Sequence, residues 1–118
     1  MSSMDSILTS IKKLLGPEED DTHFDPDIIM YINTVLMALN QIGVGPEAGF
    51  SISDKTTTWA TYLGTNVNLE AVKSYIYLKV RLIFDPPSST PLIDAIERQI
   101  KELEWRILIQ PKGGETIG

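Results

Sequence analysis

The 118-residue chain carries 10 Lys and Arg against 16 Asp and Glu, giving a formal net charge of −6, with 42% hydrophobic residues and no cysteine. That length holds one hydrophobic core and excludes two, while the acidic balance, without any basic run, argues against a general nucleic-acid binder that must cluster Lys and Arg on phosphates. The absence of cysteine excludes disulfides and thiolate metal sites.

In chain order, Met4, Ile7, Leu8, Ile11, Leu14 and Leu15 recur at helical spacing, with Ser3 or Asp5 as the expected cap and Gly16-Pro17 as the stop. Asp5, Lys12 and Lys13 interrupt this stretch, so it lacks the unbroken apolar run of an export signal. Glu18 to Thr22 reads as an acidic linker, and Asp25-Pro26 restarts a helix that runs to about Ile42, with the Asp25 side chain expected to cap it. The glycine-rich segment from Gly43 to Gly49 breaks the chain, and Phe50-Ser51-Ile52-Ser53 alternates as a short strand or an extended loop would. A brief helical turn is expected over Thr57 to Leu63, closed by Gly64, with Asn66 or Asn68 capping the next helix.

That next helix, from Leu69 to Phe84, must end before Asp85-Pro86-Pro87, because proline disfavours helical backbone at the residue before it and donates no hydrogen bond. Glu70, Lys73, Lys79 and Arg81 interrupt it, so it is too charged for a membrane span, and a soluble protein with no membrane contact is expected. Thr90-Pro91 starts the last helix, whose apolar residues Leu92, Ile93, Ile96, Ile100, Leu103 and Ile107 keep helical period to about Leu108. The expected fold is all-α: one domain over residues 1–108, a small bundle of about four main helices, followed by a flexible or extended arm over 109–118.

Placing residues about 100° apart around each helix separates core positions from surplus ones. In the second helix Ile28, Ile29, Ile32, Val35, Leu36, Leu39 and Ile42 form the core stripe, whereas Met30 and Met37 lie on the opposite side. No charged residue occurs between Ile28 and Ile42, so that outer face is covered either by the 44–63 loop or by another subunit. Apolar residues spread nearly all round the helix from Leu69 to Phe84, which makes it the central one. Trp105 falls opposite the stripe of the last helix, among Arg98, Lys101 and Glu102, and Trp59 and Tyr62 sit in the loop region. Each is an interface anchor or is packed within its own chain.

Catalytic and metal signatures are missing. His23, the sole histidine, lies in the acidic linker with no nucleophile elbow elsewhere. Asp20, Asp21, His23, Asp25 and Asp27 lack the loop glycine and terminal Glu of a calcium loop. Glu97, Glu102 and Glu104 alternate with Arg98, Lys101 and Arg106 as a solvated, salt-bridged face would. No enzyme activity, cofactor or metal is expected.

The order of elements carries a resemblance. A short helix ends in Leu14-Leu15-Gly16, and a glycine-rich loop follows an apolar second helix. The central helix closes in Tyr75-Ile76-Tyr77-Leu78-Lys79-Val80-Arg81-Leu82-Ile83-Phe84-Asp85-Pro86-Pro87, and the last carries Ile100-Lys101-Glu102-Leu103-Glu104-Trp105-Arg106. From about Met4 to Leu108 the chain resembles the head-tail connector (adaptor) proteins of tailed bacteriophages and prophages. The resemblance implies a structural subunit, made in the host cytoplasm and built into the virion at the head-tail junction. It implies a ring of copies, formed alone or only on the portal protein, which also meets a further connector or tail-completion protein. DNA would pass through the lumen without sequence-specific binding. It supplies no catalytic residue, so the interface candidates rest on the residues themselves: Met30, Met37, Trp59, Tyr62, Trp105 and the C-terminal arm. The competing reading is a helical adaptor or regulatory module of a mobile element that binds one protein partner through an apolar groove.

Overall fold

The computed structural model describes residues 5–64 and 68–109. Met4, the alternative cap Asn66 and the C-terminal arm from residue 110 onward lie outside the described residues. Five helices follow in order: α1 (Ile7–Leu15), α2 (Asp25–Gln41), α3 (Trp59–Leu63), α4 (Leu69–Phe84) and α5 (Thr90–Ile109).

The boundaries follow from side-chain chemistry, with some corrections to the sequence reading. Ser6, rather than Ser3 or Asp5, caps α1, its Oγ accepting from the Thr9 N–H at 3.1 Å. Asp5 lies outside the helix, where its carbonyl accepts from the Trp59 N–H at 3.1 Å, while the Ile7 N–H donates to the Thr57 carbonyl at 3.0 Å. These bonds form an isolated antiparallel bridge between Ser6 and Thr58. Gly16 ends the helix at φ 118°, a conformation that costs a side chain dearly. At α5 the cap is Ser89, whose Oγ accepts from the Leu92 N–H at 3.3 Å, one residue before the expected Thr90.

Asp25 does not cap α2. The N-cap is Phe24, which makes no side-chain bond, and Asp25 enters the first turn beside Pro26. Its carboxylate is taken by a stronger partner, the buried Lys12 ammonium of α1 at 2.8 Å. Lys12 is only 3% exposed. Its Nζ also donates to the carbonyls of Glu19 and Asp21, at 2.9 and 2.8 Å, so the buried ammonium has two hydrogen bonds beside its ion pair. One side chain thus fixes α1, the acidic linker and the start of α2 against each other.

α4 is the centre of the bundle, with α1, α2 and α5 all packed on it and α1 also touching α2. The shared core contains Ile7, Leu8 and Ile11 of α1, Ile28, Ile32, Val35, Leu36 and Leu39 of α2, and Val72, Tyr75, Ile76, Leu78 and Val80 of α4. Ile96, Ile100 and Ile107 of α5 close it. The 16 residues of α4 are apolar almost all round because they are covered on three sides.

Between α2 and α3 the chain runs as an extended loop; no strand forms among the described residues. Ile52 is nevertheless buried, and its backbone is satisfied by one side chain: the Asn33 Nδ2 donates to the Ile52 carbonyl at 2.9 Å and Asn33 Oδ1 accepts from the Ile52 N–H at 2.8 Å. An amide side chain presents the donor and acceptor that a neighbouring strand would offer, so the loop needs no sheet. Asn33→Ala is expected to cost about 1–3 kcal/mol, since both backbone groups lose their partner. Urea unfolding of the two proteins checks this, and an unchanged midpoint would contradict it.

Replacing Lys12 with Met is expected to cost about 3 kcal/mol or more, because the Asp25 carboxylate and two carbonyls are left without a donor. The additional change Asp25→Asn should recover part of that loss, as read in the same unfolding experiment.

Candidate interaction surface

The structure separates the five residues singled out from sequence into two groups. Met30, Met37 and Trp105 are 56%, 61% and 59% exposed. Trp59 and Tyr62 are buried in the subunit core, at 0% and 3%, and leave the set of surface candidates.

Their burial has a local cause. The bridge between Ser6 and Thr58 lays Trp59 against α1, where its Nε1 donates to Ser10 Oγ at 3.1 Å within the core. A buried indole with its N–H satisfied is a packing element. Tyr62 stacks at a tilt on Phe50, with ring centroids 4.8 Å apart. It lies so close to the backbone at Gly45 that a Cβ there would stand 2.5 Å from Tyr62 Cε1. Gly45 also adopts φ +88°, so it is required twice over. The Tyr62 hydroxyl has no partner among the described residues, and burial pushes its pKa upward.

On α2 the exposed residues Asp27, Met30, Thr34, Met37 and Gln41 form one line, opposite the buried Ile28, Ile32, Val35 and Leu39. The 44–63 loop does not cover this line. On α5, Trp105, Leu108 and Ile109 are 59%, 54% and 52% exposed and fall on neighbouring positions i, i+3 and i+4. Leu92 is also exposed, at 44%, which takes it out of the expected core stripe. Contiguous exposed apolar residues at helical spacing are the usual mark of a surface that meets another protein. The charged face of α5 is looser than its sequence suggests. Glu102 pairs with Arg106 at 3.0 Å, while Glu104 Oε2 accepts from the Tyr75 hydroxyl at 3.2 Å. Arg98 and Lys101 make no ion pair among the described residues.

A cleft of about 750 Å³ opens between α1, the start of α2 and the loop at 52–55, and acidic residues line it. Their chemistry does not suit acid or base work. Asp25 is held by Lys12. Asp54 Oδ1 accepts from the Thr56 hydroxyl and from the Thr56 N–H, which hold its carboxyl below the usual range and keep it ionised. A general acid needs the opposite shift. His23 is exposed, its ring edge-on to Phe24 at 4.7 Å, with no nucleophile beside it. No three His, Cys, Asp or Glu side chains among the described residues converge to hold a metal ion. No helix among them is long and apolar enough to cross a membrane.

With helix order and surface established, comparison with known families decides the identity: residues 7–114 match the family described as phage connector protein. The chain belongs to that family. Neither the curated proteins nor the solved structures returned a match. A phage connector protein is a structural component of the virion, so what counts is the surface it offers to other components. Sequence periodicity placed Met30, Met37 and Trp105 off the core stripes, and all three are exposed on the subunit. It missed Lys12 and Asn33, which hold the surface-bearing helix α2 in place.

Tyr75 ties α4 to α5 through Glu104. Burial first, and then the charge of Glu104, raise its pKa from 10.0 to about 12. The folded state therefore binds this proton more tightly than the unfolded state, so the stability it contributes is complete below pH 10 and is lost as pH rises through about 12. The stability advantage of the native protein over Tyr75→Phe should shrink between pH 10 and 12. Denaturant titrations at several pH values check this; a gap independent of pH would contradict it.

Proposed function

We propose that this phage connector protein is a head-tail adaptor subunit that assembles as a ring of copies at the portal vertex, alone or only on the portal protein. The ring joins the capsid to the next connector or tail-completion protein, and DNA passes through its lumen. The observation that carries the reading beyond family membership is the pair of unlike exposed apolar strips, one on α2 and one on α5.

α2 packs on α1 and α4, whereas α5 packs on α4, so the two strips belong to different flanks of the central helix. A closed ring needs two different complementary patches on each subunit, while a module that grips one partner through a groove needs one. Two strips favour the ring. The net charge of −6 per copy supports the conduit, since a negative wall disfavours adhesion of the phosphate backbone that slides past it.

Mass in solution, by light scattering after gel filtration over a concentration series and repeated with the cognate portal protein, tests the proposal. A defined large oligomer in either condition is expected. A monomer in both would favour the single-partner adaptor instead. Trp105→Ala should weaken assembly roughly 30-fold, the effect of losing a central aromatic anchor. The melting temperature of the isolated subunit should stay nearly unchanged, because the residue is solvated there. A large loss of subunit stability would return Trp105 to the core.

A further inference from the structure

We infer that α5 of one subunit seats on α2 of the next copy, running parallel to it, with Trp105 between Met30 and Met37 and Arg98 opposite Asp27. This rests on the ring assembly proposed above and names the two surfaces that meet in it.

The first argument is register. Asp27 precedes Thr34 by seven residues, and Arg98 precedes Trp105 by seven. At ~1.5 Å rise per residue, both spacings are about 10.5 Å, and residues seven apart share a helix face. Laying the strips side by side with Arg98 at Asp27 therefore brings Trp105 to Thr34, the small residue lying between the two exposed methionines. The site is suited to an indole. Methionine sulfur makes favourable contacts with aromatic rings, and unbranched side chains adapt to a large one. The Thr34 hydroxyl already donates to the Met30 carbonyl at 3.0 Å, so covering it leaves no donor unpaired.

Charge supplies the second argument. Along its exposed line, α2 carries a single charged residue, Asp27 at the N-terminal end, while the α5 face leading to Trp105 carries Arg98, Lys101 and Glu102, of which Glu102 is held by Arg106. Asp27, Arg98 and Lys101 make no ion pair or side-chain hydrogen bond among the described residues. The parallel register sets Arg98 at Asp27 and Lys101 one turn on, near the same carboxylate. Reversing α5 about the same contact of Trp105 with Thr34 sets Arg98 against Gln41 and puts the position opposite Asp27 beyond Ile109, the last residue of α5, so Arg98 gains no anion. Pairing α2 with α2 gives Asp27 no cation, and pairing α5 with α5 leaves the exposed methionines of α2 uncovered. The contact is therefore between unlike surfaces and propagates from copy to copy.

The chain has no cysteine, so engineered pairs report contacts without background. Full-length protein carrying Asp27→Cys and Arg98→Cys, assembled in concentrated solution or on the portal and treated with a short bis-maleimide, should yield a ladder of covalent oligomers. Either single variant should give at most dimers. The pair Gln41→Cys with Arg98→Cys should give no ladder, and a ladder there in place of the first overturns the parallel register. Independently, Asp27→Arg and Arg98→Asp should each weaken assembly about tenfold or more, and the two together should restore it. Native protein that assembles while the Asp27/Arg98 cysteine pair gives no ladder and the charge swap restores nothing overturns this pairing and leaves the ring standing. Native protein that associates neither alone nor on the portal overturns both.

Discussion

The arrangement of this subunit depends on one buried cation. An ammonium taken out of water is tolerated only where it finds acceptors and a counter-charge, and Lys12 has both: two linker carbonyls and the Asp25 carboxylate. The interaction fixes the path of a polar linker that has little apolar surface with which to anchor itself. It also sets where α2 begins relative to α1, while the buried stripe of Ile28, Ile32, Val35, Leu36 and Leu39 turns Met30 and Met37 outward. Buried ion pairs add little net stability compared with well-packed apolar side chains, but breaking one is costly. The value of this one lies in orientation.

Asn33 plays a matching part further along α2. The segment from Gly43 to Thr58 has neither helix nor sheet to satisfy its backbone, and it is held at discrete points: the Asn33 amide at Ile52, Asn40 Nδ2 on the Pro46 carbonyl at 2.8 Å, and the Ser6–Thr58 bridge. Side-chain clamps in place of a ladder let a glycine-rich loop vary in length between fixed points without disturbing the helices. The central helix needs no such device, because helices cover it on three sides.

What the sequence revealed, and what it hid, divides along the same line. Helical periodicity is a local property, so α1, α2, α4 and α5 could be placed within a residue or two, and Met30, Met37 and Trp105 could be recognised as lying off the core stripe. Trp59 and Tyr62 belong to a segment without a long period, and their burial comes from chain closure between residues 49 apart in sequence, as in the Ser10–Trp59 bond. No local pattern carries that information. Lys12 was hidden for a different reason: on a helical wheel a buried, partnered lysine looks the same as a solvated one. Only the carbonyls of Glu19 and Asp21, backbone groups without any sequence signature, distinguish the two. The helix starts at Ser6 and Ser89 were obscured by other capping residues nearby.

The contrast between the two tryptophans has a spectroscopic consequence. Trp59 is sealed in the core and Trp105 stands largely in water, so their emission should differ in wavelength and in accessibility to a soluble quencher. Unfolding transfers the Trp59 signal to the red. Contact with a neighbour moves the Trp105 signal to the blue and shields it, while Trp59 stays unchanged. The protein therefore carries separate intrinsic reporters for the folding of a subunit and for its capture by another, and the two events can be followed in one sample without a label.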